Sequence, residues 1–138
     1  MDERKVRLCI VSVMTDPQGG RHETKHARVG SLRRERDSIV LTYEDEQDGD
    51  RARVALTASP RSAQMRRMGA MSGTLRFEPG VRTSSVYATD YGEIPVAVFT
   101  RTVALEERVG GGELRLDYDV FVGGEKTASA EMGVTWKA

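Results

Sequence analysis

Three groups of side chains in this sequence could do chemistry. His22-Glu23-Thr24-Lys25-His26 spells the H-E-x-x-H pattern of zinc hydrolases. That chemistry needs a helix, which sets both imidazoles on one face, one turn apart, and lets the Glu activate a zinc-bound water. Gly19-Gly20 precedes the pattern and Gly30 follows it, and the residues between carry no apolar helical stripe. In a strand, residues four apart are ~13 Å from each other, too far for one metal ion. The chain has no other histidine, so a third ligand would have to be a carboxylate. His22, Glu23 and His26 therefore read as a chance match, and no metal or other cofactor is expected.

The second group is the acidic run EDEQDGD at residues 44–50. It could offer oxygen ligands to a hard cation, but it lacks the spacing and the closing bidentate Glu of a calcium loop. Glu44-x-Glu46 also matches the opening of a tunnel-barrel phosphohydrolase motif, with Asp48 where a Lys is required. The run reads as a solvated hairpin loop whose Asp48-Gly49 suits positive φ.

The third group is built on arginine. Side chains alternate along a strand, so one of Arg66 and Arg67 shares a face with Met65. If Met65 points into a core, Arg67 points in with it. An inward guanidinium needs a carboxylate, a carbonyl or an anionic ligand to offset its desolvation. Glu93 and Glu125, which the family resemblance given below picks out, are the candidate carboxylates. Tyr87, Tyr118, Phe77 and Trp136 fall on apolar faces, where they either fill a core or line a ligand cavity. The candidate ligand-binding set is Arg67 for charge and orientation, Tyr87 and Tyr118 as walls, and Glu93 as support. No catalytic residue is assigned. No Ser-His-Asp set is detectable, and the glycines at 110–112 form a hairpin turn rather than a phosphate loop.

The elements that must position these groups are strands. Residues 5–14 alternate with Val6, Leu8 and Ile10 on one face. Residues 16–20 (DPQGG) form a strong turn, and residues 21–29 are polar enough for a short edge strand. Ile39, Leu41 and Tyr43 share a face, as do Val54 and Leu56. Residues 66–93 contain two strands around the turn Glu78-Pro79-Gly80, closed by Asp90-Tyr91-Gly92. Residues 93–105 are the longest candidate strand. Ile94, Val96 and Val98 oppose Ala97, Phe99 and Val103, so both faces are apolar and both require cover. Residues 114–122 alternate most cleanly, and Ala128, Ala130, Met132, Val134 and Trp136 share one face. Eight to ten strands at intervals of 10–12 residues, with no helical periodicity, predict an antiparallel sandwich or barrel. A meander with no long crossover favours the barrel, because closure removes exposed edges.

Bulk composition sets outer bounds. A chain of 138 residues fits one domain spanning 1–138. Lys+Arg and Asp+Glu both number 21, so no global field recruits nucleic acid or a membrane surface. Arg33, Arg34, Arg36, Arg51 and Arg53 lack the interleaved aromatics that single-strand binders stack on. The single cysteine, Cys9, and the absence of a signal-like apolar run predict a cytoplasmic address. No stretch reaches the ~20 apolar residues of a membrane helix.

Residues 65–136 resemble the YwiB-like bacterial proteins of unknown function. The matching positions include Met65-Arg66, Gly69-Ala70, Arg76-Phe77 with Gly80, and Tyr87 ahead of Gly92-Glu93. Thr100, Gly112 before Leu114, Tyr118-Asp119, Val122-Gly123, Glu125 and Met132 follow. The first half matches through Thr15, Gly30 and Tyr43-Glu44, with Ser31-Leu32-Arg33 in place of an aromatic cluster. The resemblance implies a calycin-type, lipocalin-like up-and-down β-barrel, and it carries no activity.

The expectation is thus an all-β, single antiparallel barrel of eight to ten strands. Its leading reading is a binding module, rather than an enzyme, for a small ligand inside or at the mouth of the barrel, an anion being one option. The alternative is a homodimeric structural or interaction protein with a filled interior. A metal-dependent hydrolase would rest on the histidine pattern alone.

Overall fold

Alternating apolar and polar residues can bury only one side of a strand, so the strands of this chain curl their apolar sides inward. In the computed structural model, which describes residues 3–47 and 49–138, ten strands do this. They are β1 (Glu3–Thr15), β2 (Arg21–Arg34), β3 (Ile39–Gln47), β4 (Asp50–Ala58) and β5 (Ala63–Met68). After these come β6 (Gly73–Phe77), β7 (Arg82–Thr89), β8 (Gly92–Arg108), β9 (Gly111–Val122) and β10 (Glu125–Lys137). The sheet order is β6-β5-β4-β3-β2-β1-β10-β9-β8-β7. Every chain neighbour is a sheet neighbour except β6 and β7, and β1 pairs with β10. The result is an antiparallel, nearly closed up-and-down barrel, as the meander predicts.

The seam between β6 and β7 is held without a full ladder. Ser72 and Ala88 exchange backbone hydrogen bonds of 2.9 and 2.8 Å at one end. Gly80 N–H donates to the Thr100 carbonyl at 2.8 Å at the other, and the Thr83 hydroxyl donates to the Arg76 carbonyl at 2.5 Å. Tyr87 lies over Gly73, where a Cβ would overlap the phenol ring.

The interior is a continuous cluster that includes Leu8, Leu41, Leu56, Phe77, Leu114, Leu116, Val134 and Trp136, all nearly inaccessible. Phe77 and Tyr118 meet at the centre with ring centroids 4.8 Å apart. One end of the barrel, the mouth, carries the hairpin turns after β1, β3, β5, β7 and β9. Trp136, Leu32 and Ile39 fill the opposite end, where Arg34 pairs with Glu107 at 2.5 Å.

Three local expectations change. Residues 21–29 belong to a 14-residue strand, paired with β1 throughout and with β3 only over Gly30–Arg34. Their polarity reflects the free side left where the β3 ladder stops. The acidic run is mostly strand: β3 continues to Gln47, and Glu44 and Glu46 stand opposite Arg53 and Arg51. Such cross-strand charge pairs favour the ladder. The turn there includes Gly49 at φ 83°, while Asp48 lies outside the described residues.

In β8 the register against β9 shifts between Thr100 and Thr102. The extra residue of this bulge is Arg101, and it reverses the alternation. Val103 therefore joins Val98 on the inner face instead of opposing it.

Candidate functional site

The inner face at the mouth carries an ion-pair triad that the parity of the strands dictates. On β3, Ile39, Leu41 and Tyr43 point inward, so Asp45 does too. On β5, Met65 packs against the core and Arg67 follows it inward. On β2, Leu32 is buried, and Gly30 and Arg28 continue its face. The β2–β3 ladder ends at Gly30 and Tyr43. Beyond that point Arg28 spans the gap, its Nη2 3.0 Å from Asp45 Oδ1. Arg67 reaches the same carboxylate from the other side, Nη1 to Oδ2 at 3.3 Å.

Two guanidiniums thus converge on one carboxylate, each side chain roughly a quarter or less exposed. Burial alone would raise the Asp45 pKa. Hydrogen bonds from Arg28 and Arg67, and the charges of both, outweigh burial and hold it below the usual range. Asp45 is therefore ionised at neutral pH, and the triad carries one excess positive charge.

Two phenols, Tyr43 and Tyr87, feel the charges of this triad, and Tyr118 lies close to both. Tyr43 is buried, and loss of solvent, reinforced by the nearby Asp45, pushes its pKa up to about 12 despite the opposing effect of Arg67 and Arg28. Burial likewise raises Tyr87, which also feels Arg67. Tyr118 is raised to about 12 by burial and by its proximity to Tyr87 and Tyr43. All three remain protonated at neutral pH and can donate hydrogen bonds. Deeper in the wall, directly across from Tyr118, the Thr100 hydroxyl is wholly buried with no hydrogen-bond partner.

Of the four residues expected from sequence, the structure brings Arg67, Tyr87 and Tyr118 to one region of the inner wall. Glu93 does not join them. It lies next to Ile94, which pairs with inward-facing Tyr87, so alternation turns Glu93 outward and it is exposed. Glu125 is also exposed. The carboxylate of Arg67 is Asp45, because β3 and β5 flank the same strand, whereas Glu93 sits on β8.

Asp45, Arg28 and Tyr43 were not among the expected residues. The alternation from Ile39 to Asp45 carries the signal, and the loop-like composition of residues 44–50 hides it. His22, Glu23 and His26 lie in β2, a strand, which denies the zinc motif its helical geometry. Among the described residues no three His, Cys, Asp or Glu side chains cluster to hold a metal ion. Among the described residues no helix is long and apolar enough to cross a membrane.

Comparison with known proteins agrees with this architecture. The family model described as a domain of unknown function, DUF1934, matches residues 10–134. The uncharacterized β-barrel protein YwiB of Bacillus subtilis (strain 168) is 23% identical over 135 residues, which cover 98% of this chain and 94% of that protein. The crystal structure of the ywiB protein from Bacillus subtilis superimposes with a TM-score of 0.90 at 22% identity. It covers 99% of this chain and 92% of that one. The resemblance read from residues 65–136 is borne out, and the likeness in structure establishes the shared fold.

Proposed function

Since this chain belongs to the DUF1934 family, a domain of unknown function, we propose a function from its own residues: it is a binding module for a small anionic ligand at the mouth of the barrel. One observation carries this reading: Arg28 and Arg67 share the single carboxylate of Asp45. A second counter-ion would complete the charge balance, since leaving a partly desolvated charge without a partner is costly. The planar forks of two arginines suit the oxygens of a carboxylate or phosphate group.

Tyr43, Tyr87 and Tyr118 supply donors and ring walls, and the calycin-type resemblance fits a barrel that takes its ligand at one end. The site offers charge and hydrogen bonds without an assigned nucleophile or general base, which favours binding over catalysis. Cys9 is a free thiol, compatible with residence in the reducing cytoplasm.

The test is a thermal-shift panel of small carboxylates, phosphates and sulfonates on wild type, Arg67→Ala and Arg28→Ala. At least one anion is expected to raise the wild-type Tm, and both variants should lose that rise. Equal shifts in wild type and both variants would sink the reading.

A further inference from the structure

The outer face of β1 raises a question that is separate from the mouth. Val6, Leu8 and Ile10 point into the core, yet Cys9, Val11 and Val13 on the opposite face are also apolar and only half-buried. A strand apolar on both faces is the pattern of one covered on both. The first half of β8 shows the same pattern, and there the cover is supplied from within the chain. Ala97 is buried on the outer face, with Phe121 directly opposite and Arg82 stacked over that ring at 4.1 Å. Among the described residues nothing equivalent covers β1, whose Cys9, Val11 and Val13 stay half-buried. Instead its outer face opens into a groove of about 590 Å³, floored by Cys9, Val11, Val13, Gly133 and Ala104. A Cβ added at Gly133 would meet nothing within 4 Å, so another backbone can approach there.

We propose that this groove is the interface of a homodimer, with the same face of a second copy as its occupant. The cross-strand register makes the face complementary to itself. One row runs Lys25–Val11–Gly133–Arg115, and the next toward the mouth runs Glu23–Val13–Glu131–Asp117. A two-fold axis lying across the strands between these rows sets Val11 on the partner's Val13. The same operation sets Lys25 on the partner's Glu23, Gly133 on the partner's Glu131, and Arg115 on the partner's Asp117, a carboxylate that Arg101 of its own chain also holds. Such mutual pairing is what an isologous contact requires. The chain's formal charge of zero also leaves no net repulsion between copies.

Five strands spaced ~4.8 Å apart over a length of about 20 Å give roughly 480 Å² per copy. That is near the lower limit for specific association, so the dimer is a weak one that forms and dissociates with concentration.

Sedimentation velocity across a concentration series tests this, with circular dichroism confirming that each variant is folded. Wild type is expected to show a concentration-dependent monomer–dimer equilibrium. Val11→Lys should weaken it about a hundredfold by placing a charge in the apolar centre. Lys25→Glu, on the exposed rim, should weaken it roughly tenfold through like-charge contact. Lys25→Glu combined with Glu23→Lys should restore dimerisation, which only a two-fold contact allows. A wild type that stays monomeric to ~1 mM, where even weak specific pairs associate, would overturn the proposal. So would a Val11→Lys protein that dimerises like wild type, or a double swap as weak as the single change.

Discussion

The Arg67 guanidinium reaches across β4 to the Asp45 carboxylate, Nη1 to Oδ2 at 3.3 Å, and ties β5 to β3. Because Arg28 holds the other carboxylate oxygen at 3.0 Å, Asp45 is the common counter-ion of two positive charges. Its removal would leave them facing each other.

Asp45→Asn is therefore expected to destabilise the fold by about 1–3 kcal/mol, the cost of leaving charged groups without a partner. The folded pKa of Asp45 is depressed, so its contribution is complete above the ordinary carboxylate range. It is lost as pH falls through the lower folded value. Wild type and Asp45→Asn should converge in stability at strongly acid pH, as measured by urea unfolding. A gap that persists unchanged there would show that the carboxylate charge is not the cause. Asp45→Asn should also gain more stability from an anionic ligand than wild type does.

Tyrosine ionisation gives an alkaline counterpart. Tyr43 and Tyr118 are raised to about 12, so the folded state holds their protons where the unfolded chain releases them. Stability should fall as pH climbs from about 10, the ordinary tyrosine value, towards 12. Phenolate absorbance followed against pH should place two tyrosines in that upper range. Four tyrosines titrating together near 10 while the protein stays folded would contradict the burial described here.

Gly73 sits where a side chain would collide with the Tyr87 ring. Gly73→Ala should cost about 1–3 kcal/mol, as overpacking does, by pushing Tyr87 away from the β6–β7 seam. Hydrogen exchange should quicken at Ser72 and Ala88, whose backbone bonds close that end. Unchanged exchange at these amides would separate Tyr87 from the integrity of the seam.

Thr100→Val is expected to stabilise. The Thr100 hydroxyl is fully buried without a partner, and replacing it with a methyl of similar shape removes a desolvation penalty of roughly 1–2 kcal/mol. A loss of stability in chemical denaturation would show that the hydroxyl is satisfied, for example by a buried water.

Much of the barrel was legible because its signals are local. Alternation from Leu114 to Val122 and from Ala128 to Trp136 dictates strands wherever it occurs, and Gly80 and Gly92 take the positive φ their turns require. The bulge at Arg101 was not legible, since one inserted residue leaves the composition of β8 unchanged while exchanging its faces. The site was half legible. Arg67 followed from its parity with Met65, but its partner depended on which strands flank β4. A sequence does not display that until the sheet order is known. Glu93 illustrates the same limit: it lies at the mouth end of its strand, and one residue of phase points it outward.

The most direct test of the anion site is a ¹⁵N NMR titration with the anion that gives the largest thermal shift. Saturable shifts are expected at the backbone amides of Asp45, Arg67 and Tyr87 and at the side-chain Nε–H groups of Arg28 and Arg67. They should share one dissociation constant and disappear in Arg67→Ala. Shifts confined to outward-facing residues such as Arg66 and Glu93, or no saturable shifts at all, would contradict a ligand site at the mouth of the barrel.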